Sequence, residues 1–225
     1  MSLISAIIPT RNEAAALPPT LEHLRLLPEL REIIVVDAGS NDQTCTIAAA
    51  AGCAVHFAAP GRGGQMRYGA ERASGQVILL LHADTWLPAH AGAAIVEALQ
   101  DPRVVGGGFW KVFREAPWLM RGSRLRCAIR FYLGGRFMGD QAMFVRSSAL
   151  TAVGGVPQVP LMEEFELCRL LRERGRLRLA RATVSTSARR FRKNGVLRTY
   201  FRMWKITLLY YQGVPLERLR DLYER

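Results

Sequence analysis

Apolar and polar positions alternate in blocks along the first hundred residues. Short apolar runs, typical of strands buried on both faces, are followed by segments with helical spacing. The pattern predicts strands at 3–9, 33–37, 54–58 and 77–82, followed in turn by helices at about 14–26, from 42, at 64–74 and at 89–99. Strands separated by helices are typical of βαβ units, which build a parallel sheet. Because such crossovers are right-handed, all four strands are expected to end at one edge of the sheet.

The second half of the chain is less regular. We predict a strand over 106–113 entered through a flexible glycine turn, a helix within 118–138, a strand over 142–145, and helices over 163–174 and 197–211. No internal repeat or low-complexity linker separates the two halves. The pattern therefore predicts a single α/β domain over 1–225.

Polar clusters follow three of the predicted strands, at 10–13, 37–40 and 82–84. Open α/β sheets bind ligands at this edge, so the clusters predict a shared site. Asp37 leaves its strand just before Gly39, which permits a tight turn. Its carboxylate can accept a hydrogen bond from a base or ribose, or it can stay solvated in a capping turn.

The third cluster contains two candidate metal ligands. His82 and Asp84 lie on the same side of an extended segment, since side chains alternate along a strand. Asp84 offers the carboxylate that Mg²⁺ takes together with substrate phosphates, and His82 suits Mn²⁺ better than Mg²⁺. A structural histidine is the simpler interpretation of His82.

Three further segments carry charge suited to an anion or a proton. The glycine-rich stretch at 60–65 offers N–H groups and the guanidinium of Arg62 ahead of a helix, which suits a phosphate; an ordinary turn is the alternative. The acidic cluster with Glu163 and Glu164 contains a candidate general base, or pairs with nearby arginines. The basic stretch at 187–195 can bind a diphosphate or only decorate a loop.

Charge is distributed unevenly along the chain. Residues 1–100 hold 6 basic and 9 acidic side chains, whereas residues 101–225 hold 25 basic and 10 acidic ones. An arginine-rich composition on a solvated surface is the simpler interpretation. The alternative is an anionic partner, such as a phosphate-bearing substrate, a membrane surface or nucleic acid. Nucleic acid is not expected, because no recognition motif is present.

The helix over 197–211 combines two faces. Arg198, Arg202 and Lys205 lie on one, and apolar side chains line another: Leu197, Phe201, Trp204, Leu208 and Tyr211. Packing of the apolar face on the core is the simpler interpretation, and docking on a membrane surface is the alternative.

Two features predict the compartment. The four cysteines are scattered without CxxC spacing, which fits a reducing cytosol better than a disulfide framework. The first residues lack the basic and apolar regions of a signal peptide. We therefore expect a cytoplasmic protein, with peripheral contact at the inner membrane face as an extension of that expectation.

Taken together, these segments resemble glycosyltransferase family 2, the nucleotide-sugar transferases of GT-A fold, and within it a small bacterial branch with an LHADT motif. The matching segments are IIPTRNE (7–13), IIVVDAGSNDQT (33–44), GRGGQMRYGAERASG (61–75), ILLLHADT (78–85), GDQAMFVR (139–146) and PLMEEFELCRLLRERG (160–175). The resemblance implies a GT-A-type, Rossmann-like, mostly parallel sheet flanked by helices, with a C-terminal helical extension. It divides the domain into a nucleotide-binding half at 1–100, an acceptor and catalytic half at 101–195, and a helical segment at 196–225.

The resemblance implies a role for each matching residue. It implies that Pro9, Thr10, Glu13 and Asp37 contact the nucleoside. It also implies that Arg62 and Gln65 lie near the base or the diphosphate, and that Arg189 and Arg190 assist in binding the diphosphate. Asp84, with His82, takes the position of the metal-binding DXD motif. Glu164 takes that of the catalytic base, with Glu163 as a competing candidate, and Asp140 and Gln141 face the acceptor or donor sugar.

These roles predict an inverting, metal-assisted transfer from a UDP- or GDP-linked sugar to an acceptor hydroxyl, with Mn²⁺ or Mg²⁺ as cofactor. The sequence departs from the family's motifs at three positions: His82 replaces the first acid of DXD, Ala38 replaces the second acid of DDGS, and Glu164 replaces an Asp. These departures motivate an alternative, a non-catalytic nucleotide-sugar-binding or scaffold protein.

Overall fold

The structure is a computed structural model that describes residues 3–120 and 122–224, and these form one eight-stranded sheet with helices on both faces. The strands are β1 (Ile4–Thr10), β2 (Leu30–Asp37), β3 (Ala54–Phe57), β4 (Val77–Leu80), β5 (Thr85–Trp86), β6 (Val104–Arg114), β7 (Met143–Arg146) and β8 (Arg176–Ser187). Their order across the sheet is β3-β2-β1-β4-β7-β6-β8-β5.

The helices alternate with the strands in the first half and cluster toward the end of the chain. They are α1 (Leu17–Arg25), α2 (Thr44–Ala50), α3 (Arg62–Ala70), α4 (Ala91–Ala98), α5 (Ser123–Gly134), α6 (Ser147–Ala152), α7 (Glu163–Arg172), α8 (Arg189–Asn194), α9 (Val196–Tyr211) and α10 (Leu216–Glu224).

The first four strands pair in parallel, as their apolar runs predict. Thr10 of β1 lies opposite Asp37 of β2, and Ile7 of β1 lies opposite Leu80 of β4. Ile7 and its neighbour Ile8 pack into different hydrophobic clusters, one on each face of the sheet. Both faces are therefore covered, which is why these strands are continuously apolar. Their C-terminal ends meet at one edge, where the predicted polar clusters lie.

The second half completes the same sheet. β7 pairs antiparallel with β4 and β6, and β8 pairs parallel with β6. The predicted flexible turn at the glycines is wrong, because Gly106, Gly107 and Gly108 lie inside β6. A Cβ on Gly107 would lie 2.0 Å from the carbonyl oxygen of Arg178 in β8. The glycines therefore permit a close approach of neighbouring strands.

Two elements that position the site are absent from the sequence-based prediction. Burial partly alternates along β8, over 176–187. Such a period of two is typical of a strand, but the sequence-based prediction contains no strand here. The basic stretch at 187–195, for which a loop was one interpretation, contains the short helix α8. Together β8 and α8 carry the C-terminal arginines back to the ends of β1 and β4.

Helix α9 does not bury its apolar line. Leu197, Phe201 and Trp204 are 71%, 64% and 60% exposed, and Leu208 and Tyr211 are also exposed. The interpretation that this face packs on the core is therefore wrong. Core and cavity contacts come from a neighbouring stripe of the helix instead. Among the described residues, no helix has the length and apolar character needed to cross a bilayer.

Candidate active site

A cavity of about 430 Å³ opens at the C-terminal ends of the parallel strands. It brings together most of the residues singled out in the sequence: Pro9, Thr10, Glu13, Arg62, Gln65, His82, Asp84, Asp140, Glu164, Arg189 and Arg190. Three others, Asp37, Glu163 and Gln141, lie outside this lining. Asp37 is hydrogen-bonded to Thr10, and Glu163 is hydrogen-bonded to Arg62.

Buried polar side chains fix the ends of β1 and β2. Oγ1 of Thr10 donates to Oδ2 of Asp37 at 2.9 Å, and Nε2 of Gln65 donates to the carbonyl oxygens of Thr10 and Val36 at 3.0 and 2.8 Å. Oδ1 of Asp37 accepts from two N–H groups of the following turn. Burial alone would raise the pKa of Asp37, but these donors outweigh it and lower the pKa. A nucleoside contact by Asp37 stays a prediction, and it would replace one of these donors.

Arg62, the first residue of α3, joins three of the predicted site residues. Its Nε donates to Glu163, its Nη2 donates to Oε2 of Glu164 at 3.1 Å, and its Nη1 lies 3.0 Å from Nε2 of His82. Because a guanidinium only donates, Nε2 of His82 is the acceptor in this contact. Burial alone would lower the pKa of Arg62, but the two carboxylates raise it. The sequence indicated a phosphate-binding guanidinium, and the structure adds a role in holding both glutamates.

The two candidate bases differ in what their carboxylates contact. Oε1 of Glu164 lies 3.9 Å from Nε2 of His82 and has no hydrogen-bond partner among the described residues, although it is buried. Burial alone would raise the pKa of Glu164, but the charge of Arg62 outweighs it and lowers the pKa. Burial and the charge of Glu164 raise the pKa of Glu163. Glu164 is therefore the candidate base that keeps one carboxylate oxygen without a hydrogen-bond partner among the described residues.

Gly139 packs closely against Glu164 and His82. A Cβ at residue 139 would lie 2.2 Å from Oε1 of Glu164 and 2.4 Å from Nε2 of His82. Only a residue without a side chain lets the loop before β7 approach both groups. The motif at 139–146 marked Gly139 in the sequence, but nothing local indicated which atoms it would meet.

Asp140 pairs with a lysine that sequence reasoning missed. Nζ of Lys111 donates to Oδ2 of Asp140. Asp140 lines the cavity, and Lys111 is almost fully buried behind it. Burial alone would raise the pKa of Asp140, but Lys111 outweighs it and lowers the pKa. Oδ1 of Asp140 is buried and has no hydrogen-bond partner among the described residues. This oxygen can accept a hydroxyl of a ligand.

Gln141, next in sequence, is used within the protein. Its Nε2 donates to the carbonyl oxygen of Phe109 at 3.0 Å, and its Oε1 accepts from Arg130 at 2.9 Å. The side chain is fully buried. The sequence predicted that Gln141 faces a sugar, whereas in this structure both ends of its amide hold the loop that carries Asp140.

Arg189 bridges two predicted ligand residues. Its Nη1 and Nη2 donate to the two carboxylate oxygens of Glu13 at 2.6 and 2.5 Å, and its Nε lies 3.2 Å from Oδ2 of Asp84. The first residue of α8 thus reaches the ends of β1 and β4.

The donor set fits a divalent cation through Asp84. Its carboxylate oxygens are the hard ligands that Mg²⁺ and Mn²⁺ accept, whereas Nε2 of His82 already contacts Arg62. Within the ranges 3–120 and 122–224, no group of three or more His, Cys, Asp and Glu side chains is arranged to hold a metal ion. A cation here would therefore be held by Asp84 and by substrate phosphates, which is a common mode of Mg²⁺ binding.

Residues 5–153, more than half of the chain, match the family model described as Glycosyl transferase family 2. The chain therefore belongs to glycosyltransferase family 2, as its motifs predicted. It is 32% identical over 137 residues to an undecaprenyl-phosphate 4-deoxy-4-formamido-L-arabinose transferase of Pseudomonas paraeruginosa. That match covers 56% of this chain and 40% of the relative.

Solved structures of glycosyltransferases share the fold, which confirms the predicted GT-A architecture. A mannosyltransferase of Pyrobaculum calidifontis, in complex with GDP-Man and Mn²⁺, superposes with a TM-score of 0.66 at 20% identity over 90% of this chain and 59% of its own. Glucosyl-3-phosphoglycerate synthase of Mycobacterium tuberculosis, with Mn²⁺, UDP and glucosyl-3-phosphoglycerate, gives 0.57 at 19% identity over 82% and 70%. The chain thus spans less than half of the curated relative and under two thirds of the mannosyltransferase.

Proposed function

We propose that the protein transfers a sugar from a nucleotide-diphosphate sugar to an acceptor hydroxyl, with inversion at the anomeric carbon. The observation that carries this proposal is Glu164, a residue of the cavity lining whose buried Oε1 has no hydrogen-bond partner among the described residues. The guanidinium groups of Arg62, Arg189 and Arg190 line the same cavity. Oε1 takes the proton of the acceptor hydroxyl while the hydroxyl oxygen bonds to the anomeric carbon. The bond from that carbon to the diphosphate oxygen breaks, and its electron pair leaves with the diphosphate.

The remaining cavity residues divide into two groups by position. Pro9, Thr10 and Glu13 lie at the end of β1, where we place the nucleoside. Arg189, which contacts Glu13 and Asp84, and its neighbour Arg190 supply guanidinium groups that stabilise the charge that develops on the leaving diphosphate. The nucleotide ligands named for the two solved neighbours, GDP-Man and UDP, support a UDP- or GDP-linked sugar.

We propose Asp84 as the protein ligand of a divalent cation, Mn²⁺ or Mg²⁺. When bound, such a cation stabilises charge on the leaving diphosphate. The Mn²⁺ complexes of both solved neighbours support this assignment. Arg189 must move off Asp84 to make room, and His82 joins the ligand set only where its Nε2 leaves Arg62.

A non-catalytic nucleotide-sugar-binding protein is the alternative, and one observation favours it. The carboxylates that transfer chemistry needs are held by arginines in this structure, Asp84 by Arg189 and Glu164 by Arg62. A protein that only binds its ligand would keep these contacts. An enzyme would open the contact at Asp84 when the donor enters.

The test compares Glu164→Gln with Glu163→Gln and Glu166→Gln in donor hydrolysis and sugar transfer. We expect Glu164→Gln to lower the rate by about 10²–10⁴-fold, the usual contribution of a general base, with nucleotide affinity retained. Glu166→Gln is the matched control, because Glu166 lies on the same helix but contacts Arg169 and Tyr210 instead.

Two outcomes would redirect the proposal. A loss confined to Glu163→Gln would move the base to Glu163. Nucleotide-sugar binding by the wild-type protein, without turnover across a broad acceptor screen, would support the non-catalytic alternative. Titration of UDP and GDP with and without Mn²⁺ tests the metal ligand, since Asp84→Asn should remove any dependence of affinity on Mn²⁺.

We further propose that the protein works at the cytoplasmic face of a membrane, docked through α9 and the adjacent α5. Arg126 of α5 donates to the hydroxyl of Tyr200 in α9 at 2.8 Å, and Arg136 just beyond α5 donates to Tyr211 at the end of α9. The two helices thus lie side by side. Their exposed apolar side chains are Leu125, Ile129, Tyr132 and Leu133 on α5, and Leu197, Phe201, Trp204, Leu208 and Tyr211 on α9.

The charge of these two helices suits an anionic lipid surface. Neither helix contains an acidic residue, and exposed basic side chains lie beside the apolar ones, Arg124 on α5 and Lys205 on α9. Interfacial helices combine apolar and aromatic side chains with basic ones in this way. The lipid-linked substrate in the name of the Pseudomonas relative gives further support.

A further inference from the structure

A second cavity, of about 410 Å³, lies beside the active-site cavity. Five arginines line it: Arg62, Arg190, Arg198, Arg202 and Arg220. The acidic residue in its described lining is Glu163, which is already bonded to Arg62. The cavity is therefore strongly positive.

Three of these guanidiniums lack a carboxylate partner. Arg190, Arg198 and Arg202 make no ion pair with any described residue. Arg202 instead donates to the carbonyl oxygen of Tyr223 at 3.2 Å, and Arg190 lies over the Tyr223 ring. Like charges held around one space repel each other, so an anion that enters this cavity gains the energy of relieving that repulsion.

The position of the cavity connects it to the proposed base. Arg62, Leu161, Arg190, Met203 and Tyr223 line both cavities, so the two spaces adjoin. Glu163 lies in the wall of the second cavity and its neighbour Glu164 in the wall of the first. A ligand held among the arginines can therefore extend a hydroxyl toward Glu164.

The cavity lies away from the nucleoside end of the site. Apart from Arg62, its arginines come from α8, α9 and α10, and its described lining contains no residue of β1 or β2. The donor diphosphate has a cation in Arg189, which reaches Asp84 at the strand ends, and Arg190 lies between the two cavities. The other arginines, Arg198, Arg202 and Arg220, line only the second cavity. The geometry points to an anion on the acceptor rather than on the donor.

We propose that this cavity binds a phosphate group of the acceptor, so that the acceptor is a phosphate ester with a free hydroxyl. The proposal rests on the proposed function and names the substrate class of that site. Guanidinium groups bind phosphate oxygens through paired N–H donors, which makes clustered arginines suited to a phosphate dianion.

The test measures binding of glycerol 3-phosphate, with glycerol as the uncharged comparison, to the full chain saturated with UDP or GDP. We expect glycerol 3-phosphate to bind and glycerol not to bind. The double variant Arg198→Ala/Arg202→Ala should weaken glycerol 3-phosphate binding at least tenfold and leave nucleotide affinity within about twofold. Arg178→Ala/Arg181→Ala is the control, since it removes the same charge from exposed positions of β8.

Three results would overturn the proposal. The first is a wild-type protein that does not bind glycerol 3-phosphate. The second is an equal loss of glycerol 3-phosphate affinity in the control variant, which would mean that the attraction to positive charge is unspecific. An equal loss of UDP or GDP affinity in Arg198→Ala/Arg202→Ala would assign the cavity to the donor diphosphate. Failure of the proposed function gives a different result from failure of this proposal. If only the proposed function fails, glycerol 3-phosphate still binds, but the protein transfers no sugar.

Discussion

At the level of single residues, Arg62 organises the candidate active site. One guanidinium contacts Glu163, Glu164 and His82. Because it bonds to Oε2 of Glu164, Oε1 is the oxygen that is left without a hydrogen-bond partner among the described residues. The sequence marked all four residues separately. It did not indicate that they form one group, because Arg62 and Glu164 are separated by 102 positions in the chain.

Gly139→Ala tests how closely this group is packed. The added Cβ would fall within 2.4 Å of both Glu164 and His82, so the loop or the two side chains must shift. Since displacements near 1 Å at a reacting centre cost about 10²-fold in rate, we expect turnover to drop by at least tenfold. Nucleotide affinity should change little, because the atoms nearest to the added Cβ belong to Glu164 and His82 and not to the proposed nucleoside contacts.

Steady-state kinetics beside nucleotide titration measure both quantities. Gly134→Ala is the control, because its Cβ would lie 3.3 Å from the hydroxyl of Tyr211, outside the catalytic group. Unchanged turnover in Gly139→Ala would show that the loop can retreat without disturbing the proposed base.

At the scale of elements, the glycines of β6 decide how the two halves of the sheet join. β6 lies between β7 and β8, and its backbone approaches both closely at Gly106 and Gly107. This packing holds Lys111, further along β6, against Asp140. The glycines therefore act on the site through the strand, not through a flexible turn.

Gly107→Ala should destabilise the fold. Its Cβ would lie 2.0 Å from the carbonyl oxygen of Arg178 and 2.6 Å from the ring of Phe144, so the strands must separate. Overpacking of this kind costs about 1–3 kcal/mol in the free energy of unfolding. Urea denaturation measures the loss.

Gly64→Ala is the control for that measurement. Gly64 lies in α3 with no atom within 4 Å of an added Cβ, and alanine favours a helix over glycine by about 1 kcal/mol. The control should be neutral or stabilising. Equal stability of Gly107→Ala and the wild type would mean that β6 and β8 are loosely paired.

At the level of the whole molecule, helices α5 and α9 carry both basic side chains and exposed apolar side chains. We expect the protein to sediment with vesicles that contain anionic lipid, and more weakly with neutral vesicles or at high salt. Phe201→Ser/Trp204→Ser should reduce this binding at least tenfold. Phe57→Ser is the control, since Phe57 is equally exposed but lies on β3.

Light scattering on the same variants separates a membrane from a second copy of the chain. The membrane proposal would be contradicted if the wild-type protein is a dimer that does not bind vesicles and the Phe201→Ser/Trp204→Ser variant is a monomer. Neither variant touches the cavity lining, so nucleotide affinity reports on folding in each case.

The sequence by itself determined the architecture of the first half and the identity of most cavity residues. Continuous apolar runs between helical segments have few solutions besides a covered parallel sheet, and such a sheet brings its strand ends together. Polar residues at those ends therefore had to meet. The family motifs then assigned roles to residues such as Asp84 and Glu164, and the match over 5–153 confirms the family.

Only the tertiary structure decided which of these residues contact one another. The contacts of Arg62 with Glu164, of Lys111 with Asp140 and of Arg189 with Asp84 join distant parts of the chain. Hydrophobic periodicity is a local signal, and it cannot specify a pairing that depends on how helices and strands pack. For the same reason, the apolar residues along α9 wrongly predicted a face packed on the core. No described element covers that face. Burial is a property of the assembled fold, which the pattern of one helix does not contain.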